Sequence, residues 1–414
     1  MTLHRVVITG LSAITPIGND LATSWTNLVA GVSGAAPITR FDAAAYDTRF
    51  ACEVKDFDEK AFVSAKVAKR MDRFTLFAIS AAMMLMEDAG YKVAPEEADR
   101  VAVVIGCGLG GLETLEATHS KLLAQGPTRI SPFFIPTMIA NMAGGQVSIA
   151  TGAKGPNLCT TSACASGTHA IGAAYTDIKL GRTVAAICGG VESTITPLAV
   201  GGFNALKALS TRNDDPAGAS RPFDATRDGF VIGEGCGLVL LESLEHATAR
   251  GARILAEVVG FGASGDAFHM TAPPEDGEGM VLAMRAAIRE AGMDPSEVAH
   301  INAHGTSTSL NDACETKAIK TVLGEHASQV PITSNKSMIG HCLGAGGGIE
   351  AVMSIMTMTE GIIPPTINLD HPDPVCDLDY VPKVARKVRV GNVLSNSFGF
   401  GGTNACILFK AFGD

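Results

Sequence analysis

One cysteine in the sequence has neighbours that suit a reactive thiol. Cys164 lies within residues 160–167 (TTSACASG), between a strand-like segment at 155–159 and a helix-like run at 170–180. The small neighbours leave the sulfur uncrowded, as in the tight turn that presents the serine of many hydrolases. A helix that begins just after the cysteine favours thiolate over thiol. The pattern predicts a nucleophile, although most free cysteines are small buried packing residues.

Two histidines have settings that could serve such a nucleophile. His304 follows an apolar strand-like run in residues 302–308 (NAHGTST), where a glycine leaves room for a ligand. His341 heads a helix-like segment, in what we interpret as the place of Cys164 in a second, similar half of the chain. Equivalent turns of duplicated halves meet at the midline, so we expect Cys164 and His341 in one cleft. Taken singly, either histidine also fits a structural role.

Polar residues near these histidines allow two interpretations each. Lys336 and Glu350 flank His341, and they could be solvated surface charges or a buried pair that tunes the histidines. Thr306 and Thr308 alternate, so their hydroxyls share one side of an extended segment. They could bind a ligand or cap an ordinary turn.

The elements that must position these residues follow an alternating plan. Apolar strand-like runs closed by glycines, at 101–105 and 184–188, alternate with helix-like segments such as 74–89. This order predicts an α/β fold with largely parallel sheets. The second half repeats the plan, so we predict two similar halves, 1–250 and 251–414.

Composition narrows the class of protein. Only 18% of the 414 residues are charged, and 46 are glycines. This low polarity predicts large buried layers and an oligomer interface. The net charge of −10 argues against nucleic acid as a partner.

The sequence also predicts where the protein resides. No run of about 18 uncharged apolar residues suggests a membrane span, and the start, from Met1 to Gly10, reads as a strand and turn rather than a signal peptide. Ten cysteines without a CxxC pair fit reduced thiols rather than disulfides or zinc. We therefore expect a cytoplasmic protein without a membrane anchor.

Four motifs in order carry a resemblance to a known family. They are TSACASG at 161–167, NAHGTST at 302–308, NKSMIGH at 335–341 and NSFGFGGTN at 396–404. With them, the chain resembles the thiolase-superfamily condensing enzymes, above all the elongating ketosynthases of bacterial fatty-acid synthesis. The likeness covers essentially the whole chain. It implies a duplicated, thiolase-like fold of αβαβα layers.

The resemblance also implies a reaction and its catalytic residues. An acyl group passes from acyl-carrier protein to Cys164 and then condenses with malonyl-carrier protein, releasing carbon dioxide and 3-oxoacyl-carrier protein. The backbone N–H groups of Cys164 and Phe400 would hold the oxyanion. His304 and His341 would stabilise the enolate, and Lys336 would support them together with Glu350. The family needs no metal or organic cofactor and forms homodimers.

Substrate contacts are carried over from the family by position. Thr271, Thr306 and Thr308 resemble contacts to the phosphopantetheine arm of the carrier. Phe203 and Leu109 resemble the lining of the acyl pocket. Phe400, in the glycine-rich loop with Phe398, resembles a gate that moves when the acyl chain enters. The alternative for the phenylalanines is plain core packing.

A basic cluster is the candidate docking site for the carrier, which is acidic in this family. Lys66, Lys69, Arg70 and Arg73 share one face if their segment is helical. Lys207 and Arg212 would extend this positive patch on an acidic chain. The alternative is a solvated face without a partner.

Three competing functions remain at this stage. A polyketide ketosynthase would use the same chemistry with another chain length. A degradative thiolase would need a second active cysteine near the C-terminus, and Cys406 is poorly placed for that role. A non-catalytic chain-length-factor subunit would lack the nucleophile that Cys164 provides.

Overall fold

The computed structural model describes residues 3–413, so Met1 and Thr2 of the predicted first strand lie outside the described residues. Its strands are β1 (Val6–Ile14), β2 (Ala36–Pro37), β3 (Phe50–Ala51), β4 (Val101–Gly106), β5 (Asn157–Thr160), β6 (Ala185–Glu192), β7 (Gly235–Ser243), β8 (Ala256–Gly265), β9 (His300–Asn302), β10 (Ile332–Thr333), β11 (Ile362–Ile363), β12 (Arg386–Lys387), β13 (Asn392–Gly399) and β14 (Thr403–Ala411). Its α-helices are α1 (Leu21–Val29), α2 (Ala65–Ala68), α3 (Arg73–Asp88), α4 (Leu112–Gln125), α5 (Phe134–Met138), α6 (Met142–Thr151), α7 (Ser166–Lys179), α8 (Pro197–Ala205), α9 (Leu244–Ala249), α10 (Glu278–Ala291), α11 (Ser309–Leu323), α12 (Lys336–Ile339) and α13 (Gly346–Glu360).

Ten of the strands form one sheet in which each half of the chain repeats the same order. The sheet runs β10-β9-β13-β14-β8-β1-β7-β6-β4-β5. In each half four strands share one direction, and only β7 or β14 runs against them. The halves join through a short antiparallel pairing of β1 with β8. The predicted α/β class with largely parallel strands is confirmed.

Two helices lie between the halves and form a central layer. Helices α7 and α13 contact each other and also strands of both halves. They approach closely because glycines face each other: a Cβ on Gly167 would lie 2.7 Å from the backbone nitrogen of Gly348. Helices α3 and α6 cover the outer face of the first half, and α10 and α11 cover that of the second. The thiolase-like five-layer arrangement is therefore confirmed.

Backbone angles show which residue of the second half corresponds to Cys164. Ala163 (φ 50°) and Leu343 (φ 48°) both adopt a left-handed conformation, three residues before α7 and α13 begin. Gly344 therefore holds the place of Cys164 in the second half. Our assignment of that place to His341 was wrong by three residues, because a short 3-10 turn separates the histidine from its helix.

Helix α3 shows why the outer layers are stable. Asp72 caps its first turn by accepting the N–H of Phe74, and the helix is buried over most of its circumference, as its nearly all-round apolar sequence predicted.

No helix within residues 3–413 combines the length and apolar character that a membrane crossing requires.

Candidate active site

Cys164, His304 and His341 line one cavity of about 640 Å³. Their ligand-capable atoms, the sulfur and one nitrogen of each ring, all lie within 4.8 Å of one another. Cys164 lies just before α7 in the first half, whereas the histidines follow β9 and α12 in the second. The cleft between the halves brings the three together, as the sequence predicted.

The thiol of Cys164 is buried, and this changes its predicted ionisation. Burial raises its pKa to about 11, while the charge of Lys336 and the backbone N–H groups of Phe400 and Cys164 act in the opposite direction. These N–H groups favour the thiolate, as expected for the start of a helix, but in the free protein the loss of hydration outweighs them. The two N–H groups nevertheless face the sulfur, where an oxyanion would form.

His304 is held by a carboxylate that the sequence analysis missed. Glu315 accepts the backbone N–H groups of His304 and Gly305, both at 2.8 Å. Burial raises the pKa of Glu315 to about 7. Burial also lowers the pKa of His304 well below its ordinary value, and the charge of Lys336 adds to this. The available signal was an acidic residue on the apolar face of a helix, since Glu315 is followed by Ala318, Ile319 and Val322.

The ring of His341 is oriented by the turn that follows it. The backbone N–H of Leu343 donates to its Nδ1 at 3.3 Å. This bond assigns the neutral tautomer with its proton on Nε2. Burial, assisted by the charge of Lys336, lowers the pKa of His341 well below its ordinary value. The ring packs edge-to-face on His304 at 5.3 Å and on Phe230 at 5.3 Å, so a neutral N–H donor is fixed in the cavity.

Lys336 and Glu350 form a buried pair behind the histidines. Both side chains are almost fully inaccessible, and the ammonium contacts Oε1 of the carboxylate. Neither residue lines the cavity. Of the two interpretations open from the sequence, the buried pair is therefore confirmed. Its positive member adds to burial in lowering the pKa of both imidazoles.

The residues predicted to contact substrate all line the same cavity. The hydroxyls of Thr306 and Thr308 lie 2.9 Å apart, so they share one side as predicted. The ring of Phe398 packs against that of His304 at 5.8 Å, while Phe400 is half-buried. The other predicted contacts, Leu109, Phe203 and Thr271, also line it, and so does Lys207, which the sequence analysis had assigned to the carrier-docking patch.

The basic segment from Lys66 to Arg73, predicted as one docking helix, is divided between a short helix, a turn and the start of α3. Helix α2 ends at Ala68, and a turn at 69–72 precedes α3, so the four basic residues do not share one helical face. Arg73 is held by Glu234 and lies over the rings of Phe57 and Phe77. Arg212 is half-buried, and its guanidinium donates to the carbonyl of Thr226. The exposed basic residues of the patch are Lys66, Lys69, Arg70 and Lys207.

Comparison with known proteins agrees with this geometry. Residues 3–247 match the family model described as beta-ketoacyl synthase, N-terminal domain, and residues 255–370 match the corresponding C-terminal domain. The chain belongs to the beta-ketoacyl synthase family. The junction between the two matches coincides with the segment between α9 and β8.

The beta-ketoacyl synthase has relatives over almost its whole length. It is 54% identical to 3-oxoacyl-[acyl-carrier-protein] synthase 2 of Synechocystis, over 99% of this chain and 98% of that protein. A solved beta-ketoacyl synthase from Burkholderia phymatum superposes with a TM-score of 0.92 at 37% identity, covering 99% of each chain. A type II polyketide ketosynthase, solved in complex with its acyl-carrier protein, superposes with a TM-score of 0.92 at 34% identity, over 99% of this chain and all of that one.

Proposed function

We propose that Cys164, His304 and His341 carry out the decarboxylative condensation that elongates fatty acyl chains on acyl-carrier protein. The observation that supports this most directly is their convergence within 4.8 Å at a mainly apolar cavity. The near-full-length similarity to 3-oxoacyl-carrier-protein synthases of fatty-acid synthesis supports the substrate class.

The first stage transfers the acyl group to the enzyme. The sulfur of Cys164 attacks the thioester carbon of acyl-carrier protein, and the N–H groups of Cys164 and Phe400 hold the oxyanion. The bond to the carrier sulfur breaks, and the carrier thiol leaves with the proton of the cysteine. A thiol with a raised pKa is a poor nucleophile, so the oxyanion hole must supply much of the rate.

The second stage forms the carbon–carbon bond. Malonyl-carrier protein loses carbon dioxide, and the electron pair of the broken bond remains as an enolate. The Nε2–H of His341 donates to the enolate oxygen, and His304 provides the second contact. The enolate carbon attacks the acyl carbonyl, the bond to the Cys164 sulfur breaks, and the released thiolate takes up one proton from solvent. The product is 3-oxoacyl-carrier protein.

We propose that no metal or organic cofactor takes part, since decarboxylation itself generates the carbanion and drives the step. The Thr306 and Thr308 hydroxyls bind the phosphopantetheine arm that the substrates carry.

We also propose a cytoplasmic location. The ten cysteines form no disulfide, which fits a reducing compartment.

The test of the proposed function is covalent acylation. We expect intact-mass spectrometry to show one acyl adduct when the protein meets acyl-carrier proteins with chains of two to eighteen carbons. The adduct should disappear in Cys164→Ala and persist in Cys406→Ala, because Cys406 is a core residue of β14 outside the cavity.

The outcomes separate the competing functions. Preference for saturated chains with malonyl extension supports fatty-acid elongation, whereas acceptance of poly-β-keto chains alone points to a polyketide role. No adduct with any carrier would contradict the proposal and favour a non-catalytic subunit. An adduct on Cys406 would favour a thiolase.

Carrier docking gives a second prediction. We expect the double substitution Lys69→Glu/Arg70→Glu to raise the apparent KM for acyl-carrier protein about tenfold, while acylation by a small thioester is unchanged. The reason is that both exposed cations would repel an acidic carrier. The matched control, Lys92→Glu/Arg182→Glu, reverses two exposed charges elsewhere. Equal KM values in the two double variants would contradict this docking site.

We propose that two copies assemble through strand β5. This strand ends the sheet and has an unpaired edge. Exposed apolar side chains lie on it, on the helices of the same region and just before α5: Leu158, Leu115, Leu123, Ile135, Ile149 and Phe133. A second copy would continue the sheet and cover this surface.

Sedimentation equilibrium tests this interface. We expect the wild type to have twice the chain mass, and Leu158→Lys to shift the equilibrium towards the single chain by placing two like charges at the paired edge. Leu310→Lys, which changes a somewhat more exposed leucine on α11, should leave the dimer intact. A monomeric wild type would contradict the proposal.

A further inference from the structure

One buried carboxylate at the cavity is not used by the reaction described above. Glu192 is the last residue of β6 and is fully inaccessible to bulk solvent, although it borders the cavity. Burial of an anion without a cationic partner is costly unless hydrogen bonds replace its hydration. The groups that donate hydrogen bonds to Glu192 therefore show which segments the carboxylate fixes in place.

The carboxylate accepts hydrogen bonds from both halves of the chain. Oε2 accepts the backbone N–H of Gly108 at 2.8 Å and that of Gly344 at 3.1 Å. Oε1 accepts the N–H of Leu109 at 3.1 Å and that of Gly110 at 3.3 Å. Three consecutive N–H groups thus form an anion-binding nest, and the fourth comes from the other half.

The two segments that Glu192 joins have different places in the cavity. Leu109 lines the part of the cavity that we assign to the acyl chain, and about half of the residue is exposed. Gly344 follows Leu343, whose N–H orients the ring of His341. One carboxylate therefore fixes both the acyl wall and the turn that sets the direction of the histidine.

The local backbone is shaped for this carboxylate. A Cβ on Gly108 would lie 2.6 Å from Oε2 of Glu192, and one on Gly344 would lie 2.7 Å from the same atom. Leu343 adopts a left-handed φ of 48°, which is unfavourable for a residue other than glycine. The hydrogen bond to the next residue, Gly344, stabilises this conformation.

We propose that Glu192 is a positioning residue that locks the Leu109 wall to the His341 turn and thereby sets the acyl-chain preference. The proposal deepens the proposed function and rests on it. Glutamine at this position cannot replace the carboxylate, because only one of its two polar atoms accepts hydrogen bonds. In either amide orientation, two N–H groups lose their acceptor.

The electrostatics provide a second readout. Burial is the largest cause of the raised pKa of Cys164, and the negative charge of Glu192 adds to it. Removal of this charge should therefore shift the pH profile of Cys164 alkylation towards lower pH. A residue that only supported the fold would leave this profile unchanged.

The experiment compares Glu192→Gln, Glu192→Asp and the wild type. Acylation rates are measured by intact mass with carriers of short, medium and long acyl chains, and iodoacetamide alkylation is followed at the Cys164 peptide across pH. We expect Glu192→Gln to change the ratio of long-chain to short-chain acylation about tenfold, as for loss of a charge-assisted hydrogen bond, and to shift the alkylation profile. Glu192→Asp keeps the charge but withdraws it by one methylene, so it should change the ratio with little shift of the profile.

The matched control is Glu242→Gln. Glu242 is an equally buried carboxylate on the neighbouring strand β7, but it binds Thr9, His246 and Arg250 outside the cavity. We expect its acylation ratio and alkylation profile to match the wild type, with melting curves confirming that each variant is folded.

Several results would overturn the proposal. One is a wild-type ratio of chain lengths in folded Glu192→Gln and Glu192→Asp. Another is loss of the melting transition in both variants, which would make Glu192 a residue of global stability. A changed ratio in Glu242→Gln would show a general effect of buried charge. Absence of acylation in the wild type would instead count against the proposed function.

Discussion

Replacement of His341 by alanine is expected to slow condensation by about 10²–10³-fold, the effect of removing one preorganised donor from a developing oxyanion. Acylation of Cys164 should survive, because in the proposed mechanism the N–H groups of Cys164 and Phe400, which face the sulfur, hold the oxyanion of that first stage. The measurement is single-turnover condensation of pre-acylated protein with malonyl-carrier protein, beside the rate of acylation itself.

Two further variants give this prediction its controls. His341→Gln returns an N–H group near the position of Nε2 and should recover part of the rate. His300→Asn changes another buried histidine that does not line the cavity, and it should condense at close to the wild-type rate. Equal losses of acylation and condensation in His341→Ala would contradict the assigned role, as would a glutamine variant no better than alanine.

Replacement of Glu350 by alanine should lower the free energy of unfolding by about 3–5 kcal/mol, because it leaves the Lys336 ammonium buried without its partner. Denaturant unfolding monitored by circular dichroism measures the loss. For comparison, Arg182→Ala removes one member of the more exposed pair with Asp177 and should cost less than about 1 kcal/mol.

A double variant separates the two roles of this pair. Lys336→Met/Glu350→Leu replaces both charges with apolar side chains, so we expect it to recover most of the lost stability. Its condensation rate should nevertheless fall below that of the wild type, because the charge of Lys336, which adds to burial in lowering the pKa of His304 and His341, is gone. If Glu350→Ala unfolds at the same denaturant concentration as the wild type, the pair does not contribute as described.

Local patterns in the sequence were sufficient for much of the site. The small residues around Cys164 predicted a tight turn before a helix, and the structure has that turn. The glycine after His304 predicted room for a ligand, and His304 lines the cavity. The alternation of strands and helices predicted the class of fold, since this signal lies in short segments that can be read independently.

The features of the site that could not be predicted depend on contacts between residues far apart in the sequence, which no local pattern contains. The raised pKa of Cys164 arises from burial by residues of both halves. Spacing suggested one basic helical face, but α2 ends at Ala68 and Arg73 turns inward to Glu234. Glu192 gave no signal, because an acidic residue at the end of a strand is usually solvated.

The correspondence between Cys164 and Gly344 determines the stoichiometry of the enzyme. The chain contains the same turn twice, but any side chain at position 344 would lie 2.4 Å from the backbone nitrogen of Gly108. The second turn therefore has no space for a nucleophilic side chain. Its backbone N–H at Gly344 instead donates to Glu192, which borders the cavity that contains Cys164. If Cys164 is acylated as proposed, repetition of the fold has not doubled the number of reaction centres: each chain would hold one acyl group at a time, and capacity would grow only with the number of chains.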